Sequence, residues 1–235
     1  MENKHKVFNL VILDESGSMQ TIKKSIINGF NELVQTIKGL SKQFPEQEHY
    51  VTLISFNSRE IKTILNNSSV ENLQVIDELI YQPDAWTPLY DAMAIGIKQI
   101  ENVIRKEGHY NVLVTVLTDG EENASKEFDA HAIKSLVEEK ESKNWTFTYM
   151  GANHDVEGVA SSLSIKNIMR FEANEGDVQR VFMHDRNSRI RYSENIRDNK
   201  NTNTGYFDTT EKPDVPKAEN KEKPKKSFWK SIFRK

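Results

Sequence analysis

The chain has 235 residues, no cysteine and a net charge of −3. These figures exclude a disulfide framework and thiolate chemistry. They also argue against a general nucleic-acid binder, whose footprint is a basic domain face. The charge is uneven: residues 212–235 hold nine Lys/Arg against three Asp/Glu, a surplus of +6, so the remainder carries −9. No stretch approaches the roughly 20 apolar residues of a membrane span. The first apolar run is too short for a secretory leader and ends in Asp14. A cytoplasmic protein is expected, with one domain of ordinary size and an appendage.

Strand-like and helix-like segments alternate along the chain. Residues 7–13, nearly all apolar, read as a buried strand. Residues 20–42 read as a helix, with Ile22, Ile26, Phe30, Leu33, Ile37 and Leu40 spaced by three or four. Residues 50–56 form a strand, and Asn57-Ser58 reads as a two-residue turn into an antiparallel edge strand over 59–65. Thr87-Pro88 opens a helix as N-cap and first helical residue, with Leu89, Met93, Ile97, Ile100 and Ile104 as its buried stripe. Residues 112–117 have the unbroken apolar character of a parallel strand covered on both faces. A helix over 128–140, a strand over 145–150, a short helix over 154–163, a strand over 168–171 and an Arg-rich helix over 177–196 follow.

From residue 198 Asn, Thr, Lys, Glu and Pro dominate, so 198–224 is expected to be a disordered linker after a domain at 1–197. Residues 225–235 regain apolar side chains: Phe228, Trp229, Ile232 and Phe233 share one face of a short helix among cations. That pattern suits either an anionic membrane surface or a groove on a partner protein. Eleven residues cannot hold a helix alone in water, so any order would come from a surface.

The alternation predicts an α/β fold with a doubly wound, mostly parallel sheet and helices on both faces. In such sheets ligands bind beyond the carboxyl ends of the strands, where strand order reverses. Asp14 and Asp119 each follow one of the two most apolar strands, so the two carboxylates are expected to meet there. Ser16, Ser18 and Thr87 add hydroxyls at element boundaries. Five hard oxygens, two of them anionic, suit an octahedral Mg²⁺ or Mn²⁺ site. Two carboxylates balance the dication, and neutral hydroxyls leave it electrophilic enough to accept one more anionic ligand. Taken singly each residue has a plainer reading: Asp14, Ser16 and Thr87 as helix caps, Asp119-Gly120 as a turn.

The set Asp14-x-Ser16-x-Ser18, Thr87 and Asp119-Gly120, flanked by ILDESGSM, TPLYDA and VLTDGEEN, resembles the metal-ion-dependent adhesion site of the von Willebrand factor type A fold. The resemblance covers about residues 5–172 and is closest to the bacterial intracellular members, because leader and cysteines are lacking. It implies strand order 3-2-1-4-5-6 with the third strand antiparallel. It implies direct coordination by Ser16 and Ser18. Thr87 would bind directly or through water, and Asp14 and Asp119 mostly through water. One position would stay open for an acidic side chain of a protein partner. Glu15, Gly120 and Glu121 lie beside these ligands and are the expected partner contacts at the rim, although glutamates facing it, Glu122 included, would repel an acidic group approaching within a Debye length, about 8 Å.

Catalytic patterns are absent. Position 16 is Ser where haloacid-dehalogenase-type enzymes place a second Asp; no Gly-x-Ser-x-Gly, HExxH or phosphate loop occurs. The expectation is a non-enzymatic, metal-dependent protein-interaction module. The alternatives are a metal-dependent hydrolase on the same oxygens and a membrane-tethered scaffold acting through its tail.

Overall fold

A computed structural model describes residues 4–208. Six strands form one sheet: β1 (His5–Asp14), β2 (Gln47–Phe56), β3 (Ile61–Ser69), β4 (Tyr110–Thr118), β5 (Trp145–Gly151) and β6 (Asn167–Arg170). Their order is β3-β2-β1-β4-β5-β6, all parallel except β3, which runs antiparallel to β2. The expected order and strand directions are therefore observed. Five helices cover the sheet: α1 (Lys23–Gln43), α2 (Leu89–Ile104), α3 (Ala130–Glu141), α4 (Val156–Ser162) and α5 (Glu175–Arg197).

Strand alternation sorts the core into two layers. Leu10 and Ile12 of β1 join α2, α3 and α4 on one face, with Val112, Val114, Phe147 and Tyr149. Val11 and Leu13 point the other way, onto Ile26, Phe30 and Val34 of α1 and Val178, Val181 and Phe182 of α5. Helices α1 and α5 approach closely because Gly29 has no side chain; a Cβ there would run into the Phe182 ring. No helix among the described residues is long and apolar enough to cross a membrane.

Three local expectations are corrected. The β2–β3 connection is four residues, not two: Asn57 N–H donates to the Glu60 carbonyl (3.0 Å), and Asn57 Oδ1 accepts from the backbone of Arg59 and Glu60. An asparagine that bonds its own turn in this way accommodates the longer loop. Thr87 does not cap α2; the exposed backbone donors at the helix start are taken by the loop after β4, Tyr90 N by Glu122 Oε2 (3.0 Å) and Asp91 N by Ser125 Oγ (3.1 Å). Residues 198–208, expected to open the linker, pack on the domain instead. Tyr206 is buried and its hydroxyl donates to Asp185 (2.7 Å), while Thr146 Oγ1 donates to the Thr202 carbonyl (3.1 Å). One buried aromatic anchors a segment whose composition is otherwise that of a linker.

The Arg-rich character of α5 also has a structural reason. Arg189 is buried and reaches Asp185, Asn9 Oδ1 (2.9 Å) and Thr115 Oγ1 (2.8 Å), binding the helix to β1 and β4. The aromatic tail residues Phe228, Trp229, Ile232 and Phe233 lie outside the described residues.

Candidate metal centre

Strands β1 and β4 are neighbours at the centre of the sheet, and helices leave it on opposite faces: α1 follows β1, α2 precedes β4. The crevice at their carboxyl ends gathers the predicted residues. Asp14, the last residue of β1, is fully buried; its Oδ1 accepts from Ser16 N (2.7 Å) and its Oδ2 from Thr118 Oγ1 (2.6 Å). Ser16 Oγ lies 3.1 Å from Ser18 Oγ, which donates to Asp119 Oδ1 at 2.5 Å. A hydrogen-bonded path thus runs from Asp14 through both serines to Asp119, across 105 positions of sequence.

Thr87 closes the cluster from the third segment. A Cβ placed on Gly120 would lie 3.5 Å from Thr87 Oγ1 and 3.7 Å from Ser18 Oγ. Gly120 therefore sits against two of the hydroxyls and keeps the opening clear of a side chain. Thr87 is held by a reciprocal pair with Asn123: Thr87 N donates to Asn123 Oδ1 (2.8 Å), Asn123 N to the Thr87 carbonyl (3.1 Å). Ser16 stands at the N-cap position of the short 3₁₀ turn Gly17–Ile22, but its side chain makes no cap bond. The hydroxyls of Ser16 and Thr87 are thus free of the capping role that was their plainer reading.

The electrostatics are those of a site short of positive charge. Burial, opposed by the bonds from Thr118 and Ser16 and reinforced by the nearby Asp119, pushes the Asp14 carboxyl up to about 6. Burial likewise raises Asp119, against the Ser18 hydrogen bond. Asp119 Oδ2 is buried with no hydrogen-bond partner. An orphaned carboxylate oxygen beside a second buried carboxylate is costly unless a cation or water serves it. Among the described residues no cluster of three or more His, Cys, Asp and Glu could hold a metal ion, so a cation here depends on the hydroxyls. The donor set, two carboxylates and three hydroxyls, fits Mg²⁺ or Mn²⁺.

The three neighbouring glutamates differ in role. Glu15, expected at the rim as a partner contact, is 0% exposed. Its carboxylate accepts from Lys62 Nζ (3.0 and 3.1 Å), Gln82 N (2.5 Å) and the Ser55 hydroxyl. Sequence alternation could not show this, because Lys62 reaches it from edge strand β3. Glu122 is consumed by backbone donors of Ala124 and Ser125 as well as Tyr90. Only Glu121 faces solvent at the rim, as expected.

Two further residues escaped sequence reading. Thr118 supports Asp14, and Tyr81 donates to the Asp14 carbonyl at 2.6 Å. Thr118 ends the apolar strand one residue before Asp119, a polar break that could have been read; Tyr81 comes from an irregular loop and gave no signal. His154 is buried beside the site: its Nδ1 donates to the Ala152 carbonyl (2.5 Å), leaving Nε2 for the Tyr149 hydroxyl (3.1 Å).

No family model matches the chain, and no curated protein matches it. Among solved structures it is similar to proximal thread matrix protein 1 from the mussel byssus (TM-score 0.48, 12% identity, 76% of this chain), of which it spans only 44%. It is also similar to the manganese-loaded TRAP protein of Plasmodium vivax (TM-score 0.49, 14% identity, 76% of this chain and 74% of that one). The vWF domain of the type V pili tip protein Mfa5 from Porphyromonas gingivalis superposes with a TM-score of 0.50 at 9% identity, over 77% of this chain and 95% of that domain. The chain therefore has the fold of a vWF-type A domain.

Proposed function

We propose that this domain is a divalent-metal-dependent protein-interaction module of the bacterial intracellular type, acting in the cytoplasm. Ser16, Ser18 and Thr87, with Asp14 and Asp119, would hold Mg²⁺ or Mn²⁺. A bound cation supplies a Lewis-acidic position for an acidic side chain of a partner protein. The chain's residues do the rest. Thr118 and the Ser16 backbone orient Asp14, Ser18 bridges to Asp119, Gly120 keeps the entrance open, and Asn123 fixes Thr87. The observation that carries the reading is the partnerless buried Oδ2 of Asp119, at the end of a hydroxyl path from a second buried carboxylate.

The same reading is non-catalytic. Among the described residues, the one exposed-side hydroxyl–carboxylate pair there, Ser18 with Asp119, is assigned to the cation rather than to nucleophilic attack, and both His154 nitrogens are engaged. Titration calorimetry with Mg²⁺ and Mn²⁺ tests the cation: binding is expected for wild type and lost in Ser16→Ala/Ser18→Ala. Equal heats for both proteins would discard the site. A phosphatase and esterase substrate panel with and without EDTA tests the absence of turnover; activity lost in Asp14→Ala would make the domain a hydrolase.

A further inference from the structure

Four of the five exposed large apolar side chains among the described residues, Val75, Leu79, Ile80 and Trp86, fall in one segment, residues 73–88 between β3 and α2. Trp86 is 67% and Leu79 80% exposed. Scattered single exposures are ordinary, whereas these four are concentrated in one connecting loop.

This loop is held in place and tied to the candidate metal centre. Gly17 N donates to the Ala85 carbonyl (3.1 Å), Asp84 N to the Glu15 carbonyl (2.9 Å), and Trp86 exchanges bonds with Ser58 on the β2–β3 turn (2.9 and 3.2 Å). Trp86 immediately precedes Thr87. The Leu79–Ile80 tip is fixed by Asp77 Oδ1, which accepts both backbone N–H groups (2.9 and 3.0 Å), and Lys23 reaches the Glu78 carbonyl (3.1 Å). The apolar side chains are thus presented on a pre-formed frame, which lowers the ordering cost of binding.

Beside Trp86 the exposed Asp84 is paired with Arg59 (2.6 Å), so an acidic group can approach over this residue, whereas the exposed Asp77 and Glu78 keep the Leu79–Ile80 tip acidic.

We propose that the partner is a protein segment that places a large apolar side chain on Trp86 next to the acidic residue offered to the metal, with Leu79 and Ile80 extending the contact. This rests on the metal-dependent reading above and adds a specificity element to it. Trp86 has the character of an interface anchor: large, rigid and adjacent to the one polar contact that fixes register.

The test is selection from a displayed random-peptide library on the full chain, in Mg²⁺ and in EDTA, using wild type, Trp86→Ala and Ser16→Ala/Ser18→Ala. The expected wild-type enrichment is Mg²⁺-dependent and pairs Asp or Glu with a large apolar residue at a fixed spacing. Trp86→Ala should keep the acidic preference, lose the apolar one, and bind the selected wild-type peptide at least roughly tenfold more weakly. Its thermal midpoint should be unchanged, because the side chain is mostly exposed. Acidic peptides without an apolar companion, or an unchanged motif in Trp86→Ala, would overturn this proposal and leave the metal reading standing. Enrichment indifferent to Mg²⁺ and to the serine variant would remove both. Two further measurements on wild type and Trp86→Ala look for other occupants: sedimentation with phosphatidylserine vesicles, and self-association in the centrifuge. Vesicle binding or dimerisation lost in Trp86→Ala would assign the loop to lipid or to a second copy, and would also overturn it.

Discussion

The charge carried by Asp14 can be turned into a stability measurement. Its carboxyl is raised from 3.8 to about 6 by burial and by Asp119. About two pH units correspond to about 3 kcal/mol by which ionised Asp14 weakens the metal-free fold at neutral pH. Because the folded value lies above the unfolded one, the metal-free domain gains stability as pH falls from about 6 toward 4, and the gain is absent above about 6. Asp14→Asn removes the charge but keeps the geometry. The amide oxygen can accept from Ser16 N, its NH₂ can donate to Thr118 Oγ1, and Thr118 can turn its own proton to the Gly120 carbonyl, 3.1 Å away. For a domain of this size 1 kcal/mol moves the melting temperature by about 2–4 °C, so Asn is expected to raise the midpoint in EDTA at pH 7.5 by about 6–12 °C. In wild type, Mg²⁺ at about one hundred times its dissociation constant should stabilise by about 2.7 kcal/mol, and Asp14→Asn should lose most of that response. Differential scanning calorimetry in EDTA and in Mg²⁺ reads both effects. A variant that melts lower than wild type in EDTA, or a wild type indifferent to Mg²⁺, would refute the reasoning.

Three other outcomes are expected. Both His49 ring nitrogens are buried without a partner, and burial, with Arg189 and His5 nearby, lowers the ring to about 4. The unfolded chain therefore takes up this proton first, and stability should fall by about 3 kcal/mol as pH drops from 6.5 to 4; urea melts of His49→Met should lack that part of the acid slope, and an identical slope would count against it. Gly29→Ala should melt lower, since about 1–3 kcal/mol of overpacking against Phe182 exceeds the roughly 1 kcal/mol of helix propensity that alanine adds; an equal or higher midpoint would show that α5 shifts freely. Lys62→Met strands the buried Glu15 carboxylate and should cost about 3–5 kcal/mol, largely restored in Lys62→Met/Glu15→Gln; a mild single variant would mean that Glu15 is solvated.

Much of the architecture was legible because it depends on patterns that local sequence displays. The apolar runs of β1 and β4, the three-and-four spacing of α1 and α2, and the polar breaks between them gave sheet class and element order. The two carboxylates were legible for the same reason: Asp14 and Asp119 end the two most apolar strands, so topology brings them to one edge, while Ser16, Ser18 and Thr87 joined them through the resemblance to the adhesion-site motif. What could not be read depends on side chains meeting from distant elements without a period. Lys62 reaching Glu15, Glu122 turning back to serve α2, and Tyr206 burying an otherwise polar segment belong to this class. Glu15 is the clearest case. Beside Asp14 it looked like a second rim carboxylate, yet it points into the fold and finds its counter-charge on the edge strand.

That placement of Glu15 explains why two adjacent acids can coexist at the end of a buried strand. If both Asp14 and Glu15 faced the crevice, with Asp119 opposite, three carboxylates would share one poorly solvated volume, and the strand end would be held open by repulsion. Turning Glu15 toward Lys62, Ser55 and Gln82 N removes one charge from that volume and uses it to join four segments: the turn after β1, strands β2 and β3, and the loop over 73–88. The loop that presents Trp86 and the turn that presents Ser16 and Ser18 are then fastened to the same carboxylate. A change in the position of either serine must be accommodated by the Gly17–Ala85 bond or by the bonds around Glu15. Oxygen cluster and apolar rim are therefore joined directly, by the Gly17–Ala85 bond and by the Glu15 carboxylate with its half-buried lysine partner.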